Sequence, residues 1–169
     1  MFNSRSAALR ALLGGSIAVI GIAAAAVPAL ASTATTTFNV TATVQATCLI
    51  SASNLGFGTY TGSAIATTTT LSVTCTNGTT YNVGLNAGTS AGATVSARAM
   101  TGPGAAILDY ALYQDSGHST NWGNTVGTDT KSGTGNGSAQ TLTVYGNLTG
   151  NQYPTPGSYS DTITATITY

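Results

Sequence analysis

Residues 70–85 read Thr-Leu-Ser-Val-Thr-Cys-Thr-Asn-Gly-Thr-Thr-Tyr-Asn-Val-Gly-Leu, in which two alternating runs flank an Asn-Gly pair. Every second position of each run is apolar or aromatic: Leu71, Val73 and Cys75 before the pair, Tyr81, Val83 and Leu85 after it. A period of two is typical of a strand with one buried face. Asn77-Gly78 between two such runs is the strongest short-range hairpin signal. The stretch therefore predicts strands at residues 67–76 and 81–85, paired as a hairpin.

The rest of the chain extends the same pattern in both directions. Further strands are predicted at four places, residues 94–100, 107–114, 140–145 and 159–169. Short strand pieces and turns are expected where apolar residues alternate with glycines, at Leu49, Leu55, Phe57 and Tyr60. Residues 115–138, rich in Gly, Asn, Ser and Thr, predict an extended loop with room for a short strand near Trp122. Strands at this spacing, with no helical period between them, favour an all-β sandwich.

The N-terminal residues have the features of a secretory signal peptide. Arg5 and Arg10 precede an uncharged apolar stretch at residues 11–26, and Pro28 and the small-residue triplet Ala29-Leu30-Ala31 follow it. We predict cleavage after Ala31, which makes residues 1–31 a signal peptide. The alternative is an uncleaved membrane anchor, because an apolar segment of about 20 residues can span a bilayer. The proline and the small residues favour cleavage.

The exported portion is long enough for one domain and carries few charges. Residues 32–169 number 169 − 31 = 138, a length that supports a single core. Arg98 and Lys131 stand against four aspartates, which gives 2 − 4 = −2. Such a balance offers no basic surface for phosphates, and so nucleic acid is excluded as a partner.

Cys48 and Cys75 both lie in the exported portion, where an oxidising compartment lets a disulfide persist. One pair allows one intramolecular connectivity. Closing a loop of 75 − 48 = 27 residues stabilises a fold by roughly 3 to 4 kcal/mol in the chain-entropy treatment. A zinc site is the alternative, but a single histidine and scattered aspartates do not make a tetrahedral ligand set. We predict no metal and no cofactor.

The candidates for acid–base chemistry lie close together around His118. Asp109 and Asp115 precede it, and Ser116 and Ser119 flank it. A catalytic triad needs a nucleophile and an orienting carboxylate held around the imidazole. This histidine instead lies in a Gly/Ser/Asn loop without a nucleophile motif, and so we predict a solvated loop, no catalytic residue and no enzyme.

Both ends of the exported portion alternate strictly. Near the N-terminus the apolar positions are Phe38, Val40, Ala42 and Val44, and the last residues of the chain place Ile163, Ala165, Ile167 and Tyr169 on one face. In a self-contained domain the first of these strands would pair within its own sheet. In a fibre subunit it would fill a gap in the next molecule. Periodicity alone leaves both possibilities open.

An ordered series of short motifs covers nearly the whole exported portion. The series runs Cys48-Leu49-Ile50, Leu55-Gly56-Phe57-Gly58-Thr59-Tyr60, Leu71-Ser72-Val73-Thr74-Cys75, Tyr81-Asn82-Val83-Gly84-Leu85, Arg98-Ala99-Met100, Leu108-Asp109-Tyr110-Ala111-Leu112-Tyr113, Trp122-Gly123, Leu142-Thr143-Val144-Tyr145-Gly146 and Gly157-Ser158-Tyr159-Ser160-Asp161-Thr162-Ile163. In this order the motifs resemble the spore coat protein U domain, a family similar to the subunits of archaic chaperone-usher pili.

This resemblance implies an incomplete immunoglobulin-like sandwich that lacks its final strand and is completed by donor-strand exchange. Residues 32–46 would be the donor segment and residues 47–169 the sandwich domain. The donor side chains would be Phe38, Val40, Ala42 and Val44, and the edge of the acceptor groove would hold Ile163, Ala165, Ile167 and Tyr169. The resemblance further implies a disulfide between Cys48 and Cys75 that ties the first strand to the second.

The partners implied by the resemblance are a periplasmic chaperone, an outer-membrane usher and neighbouring subunits in a head-to-tail polymer. The chain would pass through the inner membrane and end in a cell-surface fibre that supports attachment and biofilm formation. Two alternatives stay open, a tip adhesin and a secreted coat protein that folds as a monomer. Trp122 with the tyrosines could form an adhesive patch, although aromatic side chains favour packing inside the sandwich.

Overall fold

The computed structural model describes Pro28 and residues 30–169, and the chain divides into two units, residues 1–41 and 42–169. The described part of the first unit contains no helix or strand, and its residues are exposed. The predicted signal peptide lies outside the described residues apart from Pro28, Leu30 and Ala31. Among the residues described, no helix is both long and apolar enough to cross a membrane.

The second unit is built from eight β-strands. In chain order they are β1 Cys48–Ala52, β2 Ile65–Cys75, β3 Thr80–Leu85, β4 Arg98–Thr101, β5 Ile107–Tyr113, β6 Lys131–Thr134, β7 Ala139–Leu148 and β8 Ala165–Thr168. A single 3₁₀ turn, Pro103–Ala105, lies between β4 and β5. The prediction of an all-β fold is confirmed.

The strands form two antiparallel sheets. One has five strands in the order β1-β2-β7-β5-β4, and the other has three in the order β6-β3-β8. The inward-facing side chains of both sheets form one apolar core, whose members include Leu71, Val73, Tyr81, Val83, Leu85, Leu108, Leu112, Trp122, Val144 and Leu148. Alternation along β2, β3 and β5 supplies most of this core, as expected where one face of each strand is buried.

The predicted hairpin at residues 70–85 is wrong, although both of its strands exist. β2 pairs with β1 on one edge and β7 on the other, and so it has no free edge for β3. The Asn77-Gly78 turn is real, because the Thr79 N–H donates to the Thr76 carbonyl at 3.0 Å. Gly78 alone of the pair has a positive φ, 81°, whereas a type I′ hairpin turn needs it at both positions. The turn therefore carries the chain from one sheet to the other.

Three other predictions differ from the observed strands. β4 covers only the end of predicted strand 94–100, and β8 only part of 159–169. In the latter, Ser160 exchanges two backbone hydrogen bonds with Thr101 of β4, at 3.0 and 3.1 Å, before the chain reaches the other sheet. β6 lies inside the predicted loop 115–138, and its sequence Lys-Ser-Gly-Thr has no apolar alternation to reveal it.

Trp122 packs inside the sandwich as predicted, with 0% of its surface exposed. Its Nε1–H donates to the Val83 carbonyl at 2.8 Å, and its backbone N–H donates to the Leu112 carbonyl at 2.9 Å. A tryptophan that is tied to both sheets cannot be part of an adhesive surface.

Arg98 is the one buried charged residue of the described chain, with 0% exposed. Its guanidinium donates to four backbone carbonyls, those of Leu85, Asn86, Val95 and Trp122, at 2.6 to 2.9 Å. Burial lowers the pKa of the guanidinium, and the nearby Tyr110, Asp161 and Asp129 oppose that shift. The side chain thus fastens the end of β3 to the loop that follows it and to the Trp122 segment.

Candidate functional site

Two strand edges on the same side of the sandwich have no partner among the described strands. β1 is the last strand of the five-stranded sheet, and β8 is the last strand of the three-stranded sheet. An edge strand presents unpaired N–H and C=O groups that can hydrogen-bond with another chain. The space between these two edges is the candidate functional site.

The backbone of β8 directs half of its hydrogen-bonding groups toward this space. Ala165 faces Leu85 and Ile167 faces Val83 across the β3–β8 ladder. The Leu85 N–H instead donates to Gly123 O at 2.8 Å, and Val83 O accepts from Trp122, both on the far edge of β3. These are therefore non-hydrogen-bonded pairs, and the N–H and C=O groups of Ala165 and Ile167 point away from β3.

The free edge of β1 has the same character. Thr47 O accepts from the Thr76 N–H at 2.9 Å, and the Ser53 N–H donates to Thr70 O at 3.0 Å. The backbone N–H and C=O groups of the odd-numbered residues in this segment thus point toward β2. Cys48, Ile50 and Ala52 direct their backbone groups to the open side, because hydrogen-bonding direction alternates along a strand.

The spacing between the two edges varies along the site. Several Cα atoms of β1 and β8 lie within 8 Å of each other where the two strands approach, with no hydrogen-bonded ladder between them. A strand inserted between them needs about 9.5 Å, twice the distance between neighbouring strands. A strand could lie between them there only if the two edges moved apart.

Away from that point the site opens into two adjoining cavities. One, of about 470 Å³, lies between residues 52–55 and 160–165, over a floor that includes Leu71, Leu112 and Val144. The other, of about 760 Å³, is lined by residues 55–62 and 152–159. The two cavities share four of their lining residues, Leu55, Phe57, Met100 and Tyr159. We call the two cavities and the space between the edges the acceptor groove.

The structure brings three of the four predicted groove residues together. Ile163, Ala165 and Ile167 are half-buried and pack against the core, whereas Tyr169 is 58% exposed and is not among them. The family resemblance implies that residues 159–169 border the groove, and Tyr159 lines both cavities. The rest of the opposite wall, Leu55, Phe57, Tyr60 and Met100, was not assigned from the sequence. The sequence feature that could have indicated this wall is the alternation of apolar residues with glycine in Leu55-Gly56-Phe57-Gly58. The role of the edge as an acceptor stays a prediction.

The predicted donor side chains are exposed. Phe38, Val40 and Val44 have 84%, 85% and 81% of their surface accessible, and Ala42 is exposed as well. The period-two pattern predicts a strand, yet residues 38–44 form none in the single chain. An apolar segment of this length left in solvent is unusual for a soluble protein. Its role as a donor stays a prediction.

The disulfide between Cys48 and Cys75 is present, as predicted. The two cysteines face each other across the β1–β2 ladder with their Cα atoms 4.1 Å apart. Both lie at a non-hydrogen-bonded position, where opposing residues come closest. The bond therefore ties the β1 wall of the acceptor groove to the central strand β2.

One carboxylate lines the groove, that of Asp161. Burial raises the pKa of this carboxyl, but hydrogen bonds from Tyr110, Thr89 and Thr162 lower it by more. The net shift of the pKa is downward. The Tyr110 hydroxyl donates to Asp161 Oδ2 at 2.6 Å, and burial together with this carboxylate raises the pKa of the phenol. The pair is thus a neutral phenol held by an ionised carboxylate.

The structure does not assemble catalytic chemistry around His118. The Ser119 hydroxyl donates to Asp115 at 3.1 Å rather than to the histidine. Backbone hydrogen bonds from Thr120 and Ser119 lower the pKa of Asp115 to about 2. Asp109 lies on β5, where its backbone groups bond with Gln152. No group of three or more His, Cys, Asp or Glu side chains within the described residues could hold a metal ion.

Comparisons with known proteins agree with this architecture. A profile of the Spore Coat Protein U domain matches residues 34–166. Protein U of Myxococcus xanthus is 36% identical over 159 residues, covering 84% of this chain and 88% of that protein. The fold also matches a chain in the crystal structure of a chaperone–tip adhesion subunit pre-assembly complex from archaic chaperone-usher Csu pili of Acinetobacter baumannii. That match has a TM-score of 0.59 and 23% identity, and it covers 75% of this chain and 41% of the other.

Proposed function

Because the chain belongs to the Spore Coat Protein U domain family, we propose that it is a structural fibre subunit assembled by donor-strand exchange. The observation that carries this proposal is the acceptor groove, an apolar trough with a free strand edge on each side. A strand added there gains main-chain hydrogen bonds from the edge and pockets for alternate side chains. The chemistry is that of assembly rather than of catalysis.

The donor segment and the acceptor edge match in length and period. Residues 38–44 and 163–169 each span seven residues with four alternating side chains. Burying Phe38, Val40 and Val44 would contribute about 1.5 to 3 kcal/mol each, and Ala42 less. Each backbone hydrogen bond would add roughly 0.5 to 1.5 kcal/mol. A shift of register by one residue would turn the apolar side chains outward and lose both contributions.

The chain favours donation to a second copy over use of its own groove. A donor folded back beside β1 would need a tight turn at residues 45–47, Gln-Ala-Thr, which contain none of the glycine, asparagine or aspartate that such turns prefer. The Thr76 hydroxyl lies 3.0 Å from the Thr47 nitrogen and 3.4 Å from the Gln45 oxygen, and holds this segment along the end of β2.

An acceptor groove left empty exposes apolar surface and unpaired backbone, which promotes aggregation. We therefore propose that a periplasmic chaperone covers the groove until assembly and that an outer-membrane usher then receives the subunit. The matched fold from Acinetobacter baumannii comes from a chaperone–subunit complex, which supports this assignment. The proposed route is export through the inner membrane and incorporation into a surface fibre that serves attachment and biofilm formation.

A second candidate is a secreted coat protein that folds as a closed monomer. The family description and the relative named Protein U favour it. The two candidates differ in what happens to residues 32–46. A coat monomer would not depend on a neighbour for this segment, whereas a fibre subunit would insert it into the next molecule.

Size-exclusion chromatography of residues 32–169 beside residues 47–169 tests the proposal. The longer chain should give a ladder of oligomers that survives mild denaturant, and the shorter chain should give none. Val40→Asp should abolish the ladder because it places a charge in the groove, whereas Thr41→Asp, one residue away on the opposite face, should preserve it. Monomers from both lengths would support the coat protein and reject the fibre subunit.

A further inference from the structure

We propose that Asp161 is a positioning residue that holds the start of the acceptor edge ready for an incoming strand; this inference rests on the proposed function. Its carboxylate accepts four hydrogen bonds from three different parts of the chain. Oδ2 accepts from the Tyr110 hydroxyl at 2.6 Å. Oδ1 accepts from the Thr89 N–H at 2.7 Å, the Thr89 hydroxyl at 2.8 Å and the Thr162 N–H at 2.7 Å.

The segment that carries Asp161, residues 157–162, is seated against glycines that leave room for it. A Cβ at Gly88 would overlap the Asp161 carboxylate, and one at Gly102 would overlap the Tyr159 ring. Gly88 also has a φ of 90°, a conformation that other residues rarely adopt. These small residues allow a close approach that a larger side chain would prevent.

Downstream of this segment the acceptor edge has support on one side only. β8 pairs with β3, and its other edge faces the groove. Upstream, Ser160 is bonded to Thr101 of the five-stranded sheet. Asp161 therefore joins the start of this edge to β5 and to the 86–90 loop, and the Asn86 side chain bonds the same loop to Thr164 further along. A strand edge fixed in advance lowers the ordering cost of binding.

The charge of the carboxylate matters as well as its shape. Hydrogen bonds to an ionised acceptor are roughly twice as strong as those between neutral groups. The buried Arg98 cation also lies in the electrostatic field of Asp161. Asp161→Asn keeps the size of the side chain, removes its charge and replaces one acceptor oxygen by an NH2 group, and so it weakens the contact without leaving a cavity.

The test measures strand binding in molecules that remain folded. The recipient is residues 32–169 carrying Val40→Asp, so that it cannot donate, and the probe is a synthetic peptide of residues 32–46. Asp161→Asn should weaken peptide binding about tenfold or more. Asp115→Asn is the matched control, because Asp115 also accepts backbone N–H bonds but lies in the 115–120 loop. It should leave the affinity unchanged.

Amide hydrogen exchange is a second measurement of the positioning role, and it does not depend on the peptide. The Asn86 and Thr164 amides bond across the junction of β3 with the acceptor edge, at 3.1 and 2.9 Å. Both should exchange faster in Asp161→Asn than in Asp115→Asn. Equal exchange and equal affinity in the two variants would overturn the positioning role. A peptide that fails to bind the recipient with Asp161 intact would instead reject the proposed function, and the exchange rates would still decide the role of Asp161.

Discussion

Arg98 and Trp122 are the largest fully buried side chains, and both use their polar groups on backbone carbonyls. A buried carbonyl without a donor costs about 1 to 3 kcal/mol. Five carbonyls are satisfied by these two residues. The sequence indicates that Trp122 is buried, because aromatic side chains favour the core. It does not reveal the role of Arg98, because nothing local distinguishes a buried arginine from a solvated one.

Arg98→Lys should lower the free energy of unfolding by about 2 to 4 kcal/mol, because an ammonium cannot reach four carbonyls that a planar guanidinium bridges. Urea denaturation followed by circular dichroism would measure the change. Lys131→Gln, at a half-buried position on the edge strand β6, should change the free energy of unfolding by less than about 0.5 kcal/mol and serves as the control. Equal stability of the two variants would show that the four hydrogen bonds contribute little.

Asp161 and Tyr110 should both contribute to the pH dependence of stability, in opposite directions. The folded-state pKa of Asp161 lies below its ordinary 3.8, and so its contribution is present above pH 3.8 and is lost as pH falls through the folded value. The raised pKa of Tyr110 acts in the opposite direction, with a contribution complete below pH 10.0 and lost as pH rises beyond it. Thermal unfolding from pH 2 to 11 should show both declines. Tyr110→Phe should remove most of the decline in stability at alkaline pH. An unchanged alkaline decline in this variant would show that Tyr110 does not cause it.

At the scale of strands, alternation along the sequence locates β2, β3, β5 and β7 well but does not say which strands pair. Pairing depends on which edges distant residues have already filled, as the wrong hairpin at Asn77-Gly78 shows. The wall formed by Leu55, Phe57 and Tyr60 was missed because its residues are irregular backbone without a strand period. The strict alternation of residues 163–169 predicts a strand, whereas its place at the groove edge is implied by the family resemblance. The disulfide was predicted because only one pairing exists.

The short linker between the donor segment and β1 should decide whether the donor inserts into the groove of its own chain or into that of a neighbour. Replacing Gln45-Ala46 by Asn-Gly supplies the residues that a two-residue hairpin turn prefers. This variant, Gln45→Asn with Ala46→Gly, should fold its donor into its own groove and elute as a monomer with a raised unfolding midpoint. Gln45→Ala with Ala46→Ser changes the same positions without turn chemistry and should still polymerise. Unaltered ladders in the Asn-Gly variant would show that the linker does not control the choice.

At the scale of the whole molecule, the proposed function makes donor and groove different surfaces of one chain. A contact between unlike surfaces is head-to-tail and extends without closing, whereas a two-fold contact would stop at a dimer. Growth of the proposed fibre would therefore have a direction. One end carries a free donor and the other an unfilled groove, and the chaperone proposed above would act at the groove.

This polarity predicts how defective subunits change fibre length. A chain that lacks residues 32–46 keeps its groove but cannot donate, and so it should end every fibre that it joins. Mixed in at about one part in ten, it should shorten the mean polymer to about ten subunits, as measured by electron microscopy or gel ladders. The self-complemented Asn-Gly variant, with neither a free donor nor an open groove, is the control and should leave length unchanged. If the truncated chain has no more effect than this control, the subunits do not join through the leader and the groove.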